Sequence, residues 1–299
     1  MEGFYTSFNM NEQDKYIEFF QENGFVVIRN VLDDKSCDKT LDEFWSQSLV
    51  DKNDPQTWDV YWNSQQFANL SIMGNSNSTM SKMQLENRQN TNIHNVFSNI
   101  YKTDKLWVDH DRIGVMRPTI NINFGDKYLD MHNWKTIDKW LHIDCNPLTG
   151  KTDIGGFFHQ NDVFINFQQK LFCQGLISLT DARLSEGGFH CVPKSHLNPK
   201  IYESMVQSVG NIQVPLENEM RIKIEKIPIQ KGSLLIWNSL TAHANYPNNS
   251  SNFRAVQYIR MLPITNGSYS PLFPQLTAYP DYFNPSKLGQ KLFGMETWN

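Results

Sequence analysis

From Trp107 onward the chain is a succession of short apolar runs, rich in β-branched and aromatic residues and separated by Gly, Pro and Asn. The runs are Arg112–Met116, Ile120–Phe124, Val163–Phe167, Phe172–Leu179, Ile222–Ile224, Ser233–Trp237 and Ala255–Leu262. Each has the length of one strand, and turn-forming residues between many such strands favour a barrel or jelly roll. The expectation is a mainly β protein with flanking helices.

The helices are expected on the N-terminal side. Residues 11–23 place Tyr16, Phe19 and Phe20 on one helical face, with Gly24 as the stop. A short strand, Phe25–Ile28, follows; Asp33 or Asp34 can cap the next helix, whose apolar side is Leu41, Phe44 and Trp45. Residues 51–95 are polar, punctuated by Trp58, Tyr61, Trp62 and Phe67, and read as loops and irregular helix forming a lid. After Thr265 four prolines predict an irregular wrap ending in a short helix near 288–293. No boundary is evident, so residues 1–299 are expected to form one domain: a helical and loop-rich part (1–105), a β core (106–265) and a C-terminal wrap (266–299).

A chain of 299 residues with 39% hydrophobic content can bury a substantial core, and its net charge of −4 offers no footprint for nucleic acid. No run is long enough to span a membrane and no basic start precedes an apolar stretch, so a cytoplasmic protein acting on a small molecule is expected. The four cysteines, Cys37, Cys145, Cys173 and Cys191, form no C-x-x-C pair and are read as free thiols.

The chemistry concentrates around Trp140–Pro147. In an extended segment side chains alternate, so His142 and Asp144 share a face and can grip one cation. His243, beyond the run Gly232–Ser239, is the candidate third ligand. Two imidazoles and one carboxylate with open positions opposite suit a non-heme Fe(II) that also binds a cosubstrate and O2. Between His243 and Arg254 lies a strong turn composition, Tyr246–Asn252, which predicts an antiparallel hairpin bringing Arg254 near His243. A guanidinium there can hold one end of a 2-oxo diacid whose other end chelates the iron.

These residues, with Phe19–Ile28, Gln174–Asp181 and Gly187–His196, resemble the phytanoyl-CoA dioxygenase family of Fe(II)/2-oxoglutarate oxygenases over most of the chain. The resemblance implies a double-stranded β-helix (jelly roll, cupin-like), with iron on His142, Asp144 and His243 and the 2-oxoglutarate carboxylate on Arg254. Family members often carry Ser two residues after the distal His; here Asn245 stands in that place, and its amide can donate the same hydrogen bond. Gln174 is a further polar neighbour assigned to the cosubstrate. The retained carboxylate of Asp144 argues against a halogenase. The implied reaction couples conversion of 2-oxoglutarate to succinate with hydroxylation, desaturation or oxidative ring closure of a small organic substrate. Family analogy allows an acyl-CoA, but the acidic chain offers no clear basic groove for its phosphates, and a free small molecule of specialised metabolism is the reading preferred. The competing reading is a catalytically silent β-helix binding module, or a redox-neutral metal enzyme on the same scaffold.

Taken singly, each of these residues has a plainer reading: a strand histidine, a loop histidine, a surface arginine. Only the set argues for function. The histidines at 94, 110, 132, 159, 190 and 196 lack a partner at ligand spacing and are read as structural or solvated. Trp140 and Trp237 are packing residues that can border a metal pocket, and Cys145 has no base arranged around it.

Overall fold

The computed structural model describes residues 3–48, 50–59, 72–73, 81–144, 172–205, 212–264 and 279–298. The expected strand at 163–167, Cys145, His159 and residues 60–71 and 74–80 of the expected lid lie outside these residues.

Fifteen strands are described: β1 (Phe25–Ile28), β2 (Ile72–Met73), β3 (Leu106–Val108), β4 (Ile113–Met116), β5 (Ile122–Asn123), β6 (Tyr128–Leu129), β7 (His142–Ile143), β8 (Cys173–Ser178), β9 (Gly188–Cys191), β10 (Ile212–Gln213), β11 (Glu225–Lys226), β12 (Leu234–Asn238), β13 (His243–Tyr246), β14 (Arg254–Ile259) and β15 (Met261–Pro263). They make a six-stranded sheet in the order β1-β12-β8-β14-β4-β2, a five-stranded sheet in the order β10-β7-β13-β9-β11, and two strand pairs. Every pairing among these strands is antiparallel.

Alternation along the six-stranded sheet sorts its residues into two cores. Phe25, Val27, Leu176, Leu235, Trp237 and Val256 face the five-stranded sheet and pack on its Phe189 and Cys191. Their neighbours Val26, Ile28, Ile177, Leu234, Ile236, Ala255 and Ile259 face the helices. Both faces are therefore buried, which explains near-continuous apolar runs where a half-solvated sheet would alternate. The helices are α1 (Gln13–Asn23), α2 (Asp34–Ser48), α3 (Lys82–Arg88), α4 (Thr91–Tyr101) and α5 (Lys287–Leu292). α4 approaches so closely that a Cβ on Gly175 would meet Phe97 and two carbonyl oxygens at 3.1 Å.

α1 ends where its sequence predicts. Gly24 adopts φ 80°, and its N–H bonds to the Phe20 carbonyl at 2.8 Å. In place of the loops and irregular helix expected before residue 95, two regular helices form: Ser81 and Asn90 cap α3 and α4 through their side chains, and Ile93, Val96, Phe97 and Ile100 bury one face of α4. The strand expected at 222–224 is instead a 3-10 helix over Glu219–Lys223; Asn218 caps it, and Ile222 is 87% exposed, with no sheet face to bury it. The hairpin expected around Tyr246–Asn252 is also absent, because β13 and β14 belong to different sheets. Asn248 redirects that connection: its amide donates to the Arg117 carbonyl and its own carbonyl accepts from Thr119, pinning the turn to the segment after β4. No helix among the described residues is long and apolar enough to cross a membrane.

Candidate metal and cosubstrate site

β7 and β13 are neighbours in the five-stranded sheet, and His142 is the direct partner of His243 in their ladder. Directly opposed residues bring their side chains close; the two imidazole centroids are 4.5 Å apart. Asp144, just beyond β7, completes the group: its Oδ1 lies 3.3 Å from His142 Nε2 and its Oδ2 3.2 Å from His243 Nε2. One ligand atom from each of the three lies within 4.8 Å of the others.

Backbone carbonyls orient both rings. His142 Nδ1 donates to the Trp140 carbonyl at 2.9 Å, and His243 Nδ1 to the Thr241 carbonyl at 2.9 Å. Each neutral ring therefore presents the Nε2 lone pair to its neighbours, the tautomer a metal requires. Trp140 stacks on His142 at 4.7 Å, while Phe189 and Trp237 cover His243. Burial opposes charge on His142, but the Asp144 carboxylate prevails and raises its pKa; for His243 burial prevails and lowers it. Burial also opposes ionisation of Asp144, yet the two imidazoles hold it well below the usual carboxylate range. This is a pre-assembled donor set of one anionic oxygen and two imidazole nitrogens, chemistry that fits a divalent first-row metal.

Arg254 opens β14 on the facing sheet, and its side chain is wholly buried. Among the described residues none of its three guanidinium nitrogens has a hydrogen-bond partner of good geometry. Burial pulls its pKa down, while the nearby Tyr258 hydroxyl favours the charge. A buried guanidinium without an acceptor is a receptor for an anion.

The phytanoyl-CoA dioxygenase model matches residues 20–256, from α1 to the β14 that carries Arg254. This chain belongs to the phytanoyl-CoA dioxygenase family. A Dictyostelium discoideum protein named for the phytanoyl-CoA dioxygenases is 31% identical over 88% of this chain and 84% of its own length. Among solved structures, the GlcNAc Inducible Gene 2 protein of Candida albicans superposes with TM-score 0.61 at 18% identity, covering 86% of this chain and 66% of that one. The non-heme alpha ketoglutarate dependent epimerase SnoN from nogalamycin biosynthesis superposes with TM-score 0.52 at 11% identity, covering 90% and 92%. These likenesses bear out the mainly β, cupin-like fold. As a member of the phytanoyl-CoA dioxygenase family the chain is a dioxygenase of the Fe(II)- and 2-oxoglutarate-dependent class.

Other phytanoyl-CoA dioxygenase motif residues fall around this centre. The Gln174 amide donates to Asp144 Oδ2 and, at 3.3 Å, to Ser239 Oγ, so it lies beside the candidate ligand Asp144. Asn245 lies on β13, two residues beyond His243, and its Nδ2 donates to the Tyr258 hydroxyl at 3.2 Å. His190, read from sequence as structural, is buried on β9 and stacks on Tyr246. Cys37, Cys173 and Cys191 are free and buried. Sequence reasoning did not pick out Tyr258 or Ser239. Tyr258 had a legible signal, since a residue four beyond Arg254 on one strand shares its face.

Proposed function

We propose that this dioxygenase holds Fe(II) on His142, Asp144 and His243, holds the distal carboxylate of 2-oxoglutarate on Arg254, and oxidises a small organic substrate. The observation that carries the reading is the coexistence of the pre-oriented triad with a wholly buried guanidinium lacking an acceptor. A second SnoN structure (TM-score 0.51, 12% identity) is of that epimerase in complex with Fe3+, alpha ketoglutarate and nogalamycin RO, which supports the same cofactor set here.

When bound, Fe(II) with 2-oxoglutarate and O2 supplies an oxidant for C–H bonds, with succinate and carbon dioxide as by-products. The chain's own residues do the rest. The Trp140 and Thr241 carbonyls hold the proton of each neutral ring on Nδ1, so that both Nε2 lone pairs face inward, and Asp144 stays ionised. Apolar packing from Phe189 and Trp237 excludes water on one side of His243. Hydroxylation, desaturation and ring closure differ in where the substrate is held, so the reaction type follows from substrate positioning. The net charge of −4 offers no basic groove for a phosphorylated carrier, and we read the substrate as a free small molecule, with all 299 residues forming one domain.

The test is succinate formation from 2-oxoglutarate under air with added Fe(II), in wild type, His243→Ala and Arg254→Ala. Turnover abolished by both substitutions is the expected result. Absence of turnover in wild type, with no 2-oxoglutarate binding by calorimetry, would overturn the reading in favour of a silent β-helix binding module.

A further inference from the structure

Arg254, Val256 and Tyr258 alternate along β14 and so share the face turned towards β13. Arg254 brings only donors to that interior, since a guanidinium has five N–H groups and accepts nothing. Tyr258 spans from the six-stranded sheet to the five-stranded one, where its hydroxyl accepts from Asn245 Nδ2 at 3.2 Å. Accepting there occupies a lone pair and leaves the hydroxyl's own proton to be given elsewhere. The hydroxyl oxygen also lies within hydrogen-bonding and electrostatic reach of the Arg254 guanidinium, towards which it can only accept, so its own proton is still left to be given.

Beyond that hydroxyl oxygen, no acceptor meets the remaining guanidinium N–H groups and the phenol proton among the described residues. A water molecule would bring further protons to a place already rich in them. A carboxylate brings two oxygens and no proton, so it can meet the guanidinium fork and the hydroxyl together. We infer that Tyr258 is a second anchor for the distal carboxylate of the cosubstrate, its hydroxyl held in place by Asn245. This rests on the assignment of 2-oxoglutarate to Arg254. It also gives Asn245 a definite part: the amide positions the phenol and does not itself need to touch the cosubstrate. Because the phenol is rigid and fixed at both ends, it sets the depth at which the carboxylate sits, and so selects the length of 2-oxo diacid accepted.

The experiment is anaerobic calorimetry on the full chain loaded with Fe(II), titrating 2-oxoglutarate and, separately, 2-oxovalerate, which keeps the carbon chain and lacks the distal carboxylate. Tyr258→Phe should weaken 2-oxoglutarate binding about 10- to 100-fold, the range for a hydrogen bond to a charged group, and leave 2-oxovalerate affinity as in wild type. Asn245→Ala should weaken 2-oxoglutarate by a smaller factor, again without affecting 2-oxovalerate. Wild-type affinity for 2-oxoglutarate in Tyr258→Phe, with binding lost in Arg254→Ala, would overturn the second anchor and leave the assignment of Arg254 standing. Equal losses for both ligands in Tyr258→Phe would overturn it too, as a sign that the phenol merely shapes the pocket. No binding of 2-oxoglutarate by wild type would remove both readings together.

Discussion

The side-chain amide of Gln174 donates to Oδ2 of Asp144, the same oxygen that lies 3.2 Å from His243 Nε2. Gln174 sits on the inner face of β8, and its amide also reaches Ser239 Oγ, while the Asp144 N–H bonds the Ser239 carbonyl at 3.1 Å. The carboxylate is thereby fixed from the sheet opposite its own. Groups that orient a metal ligand typically change affinity about 10- to 100-fold when removed. Gln174→Leu should weaken metal binding by that factor, measured by Mn(II) titration, with the circular dichroism spectrum unchanged. Unaltered affinity would show that Asp144 needs no such support.

Arg254 predicts an unusual separation of stability from binding. Its guanidinium is fully buried and, apart from the nearby Tyr258 hydroxyl, meets no acceptor among the described residues, which destabilises the ligand-free protein. Arg254→Met keeps much of the volume and removes the charge, so ligand-free stability should rise by about 1–3 kcal/mol. Urea denaturation measures it, and 2-oxoglutarate should then stabilise wild type but not the variant. A less stable variant would argue that the arginine has a partner.

His190 gives a pH signature. Burial, then the neighbouring His243 and Lys226, push its pKa down from 6.5 to about 4. The folded protein thus binds this proton less readily than the unfolded chain. The stability contributed by the neutral ring is complete above pH 6.5 and is lost as pH falls towards 4, at about 1.4 kcal/mol per pH unit. Between pH 7 and pH 5 the metal-free wild type should lose about 2 kcal/mol more than His190→Asn. Parallel losses in urea melts at the two pH values would contradict this.

Gly24 joins the first helix to the candidate metal site. Its carbonyl accepts from the Asn238 N–H at 2.8 Å and the Thr241 hydroxyl at 2.9 Å, and Thr241 supplies the carbonyl that orients His243. At φ 80°, a Cβ on Gly24 would stand 2.4 Å from His196 Nδ1 and Thr241 Oγ1. Gly24→Ala should destabilise the protein by more than about 1 kcal/mol and also weaken metal binding. A loss of stability with metal affinity intact would mean that the 238–241 turn holds its shape unaided.

The triad was readable because period-two spacing puts His142 and Asp144 on one face and because the resemblance assigns His243 and Arg254 in order. The route to their meeting was not. The turn residues 247–252 say that the chain bends, but whether it returns in the same sheet or crosses to another depends on Asn248 anchoring to 117–119, a contact between distant segments. α4 was legible from Ile93, Val96, Phe97 and Ile100 and was masked by the polar composition around it. The position of Gln174 against Asp144 depends on two sheets facing each other, which no local pattern encodes.

The register that pairs His142 with His243, and Phe25 with Trp237, has a kinetic consequence. Contacts between residues so far apart in sequence form slowly, because a large loop must close before any of them is rewarded. On a ribosome α1 and β1 emerge long before their partner β12, and the second imidazole follows later still. The geometry of the proposed ligands is thus among the last things folding achieves, and on the proposed site metal uptake would report that the chain as far as β13 has found its place.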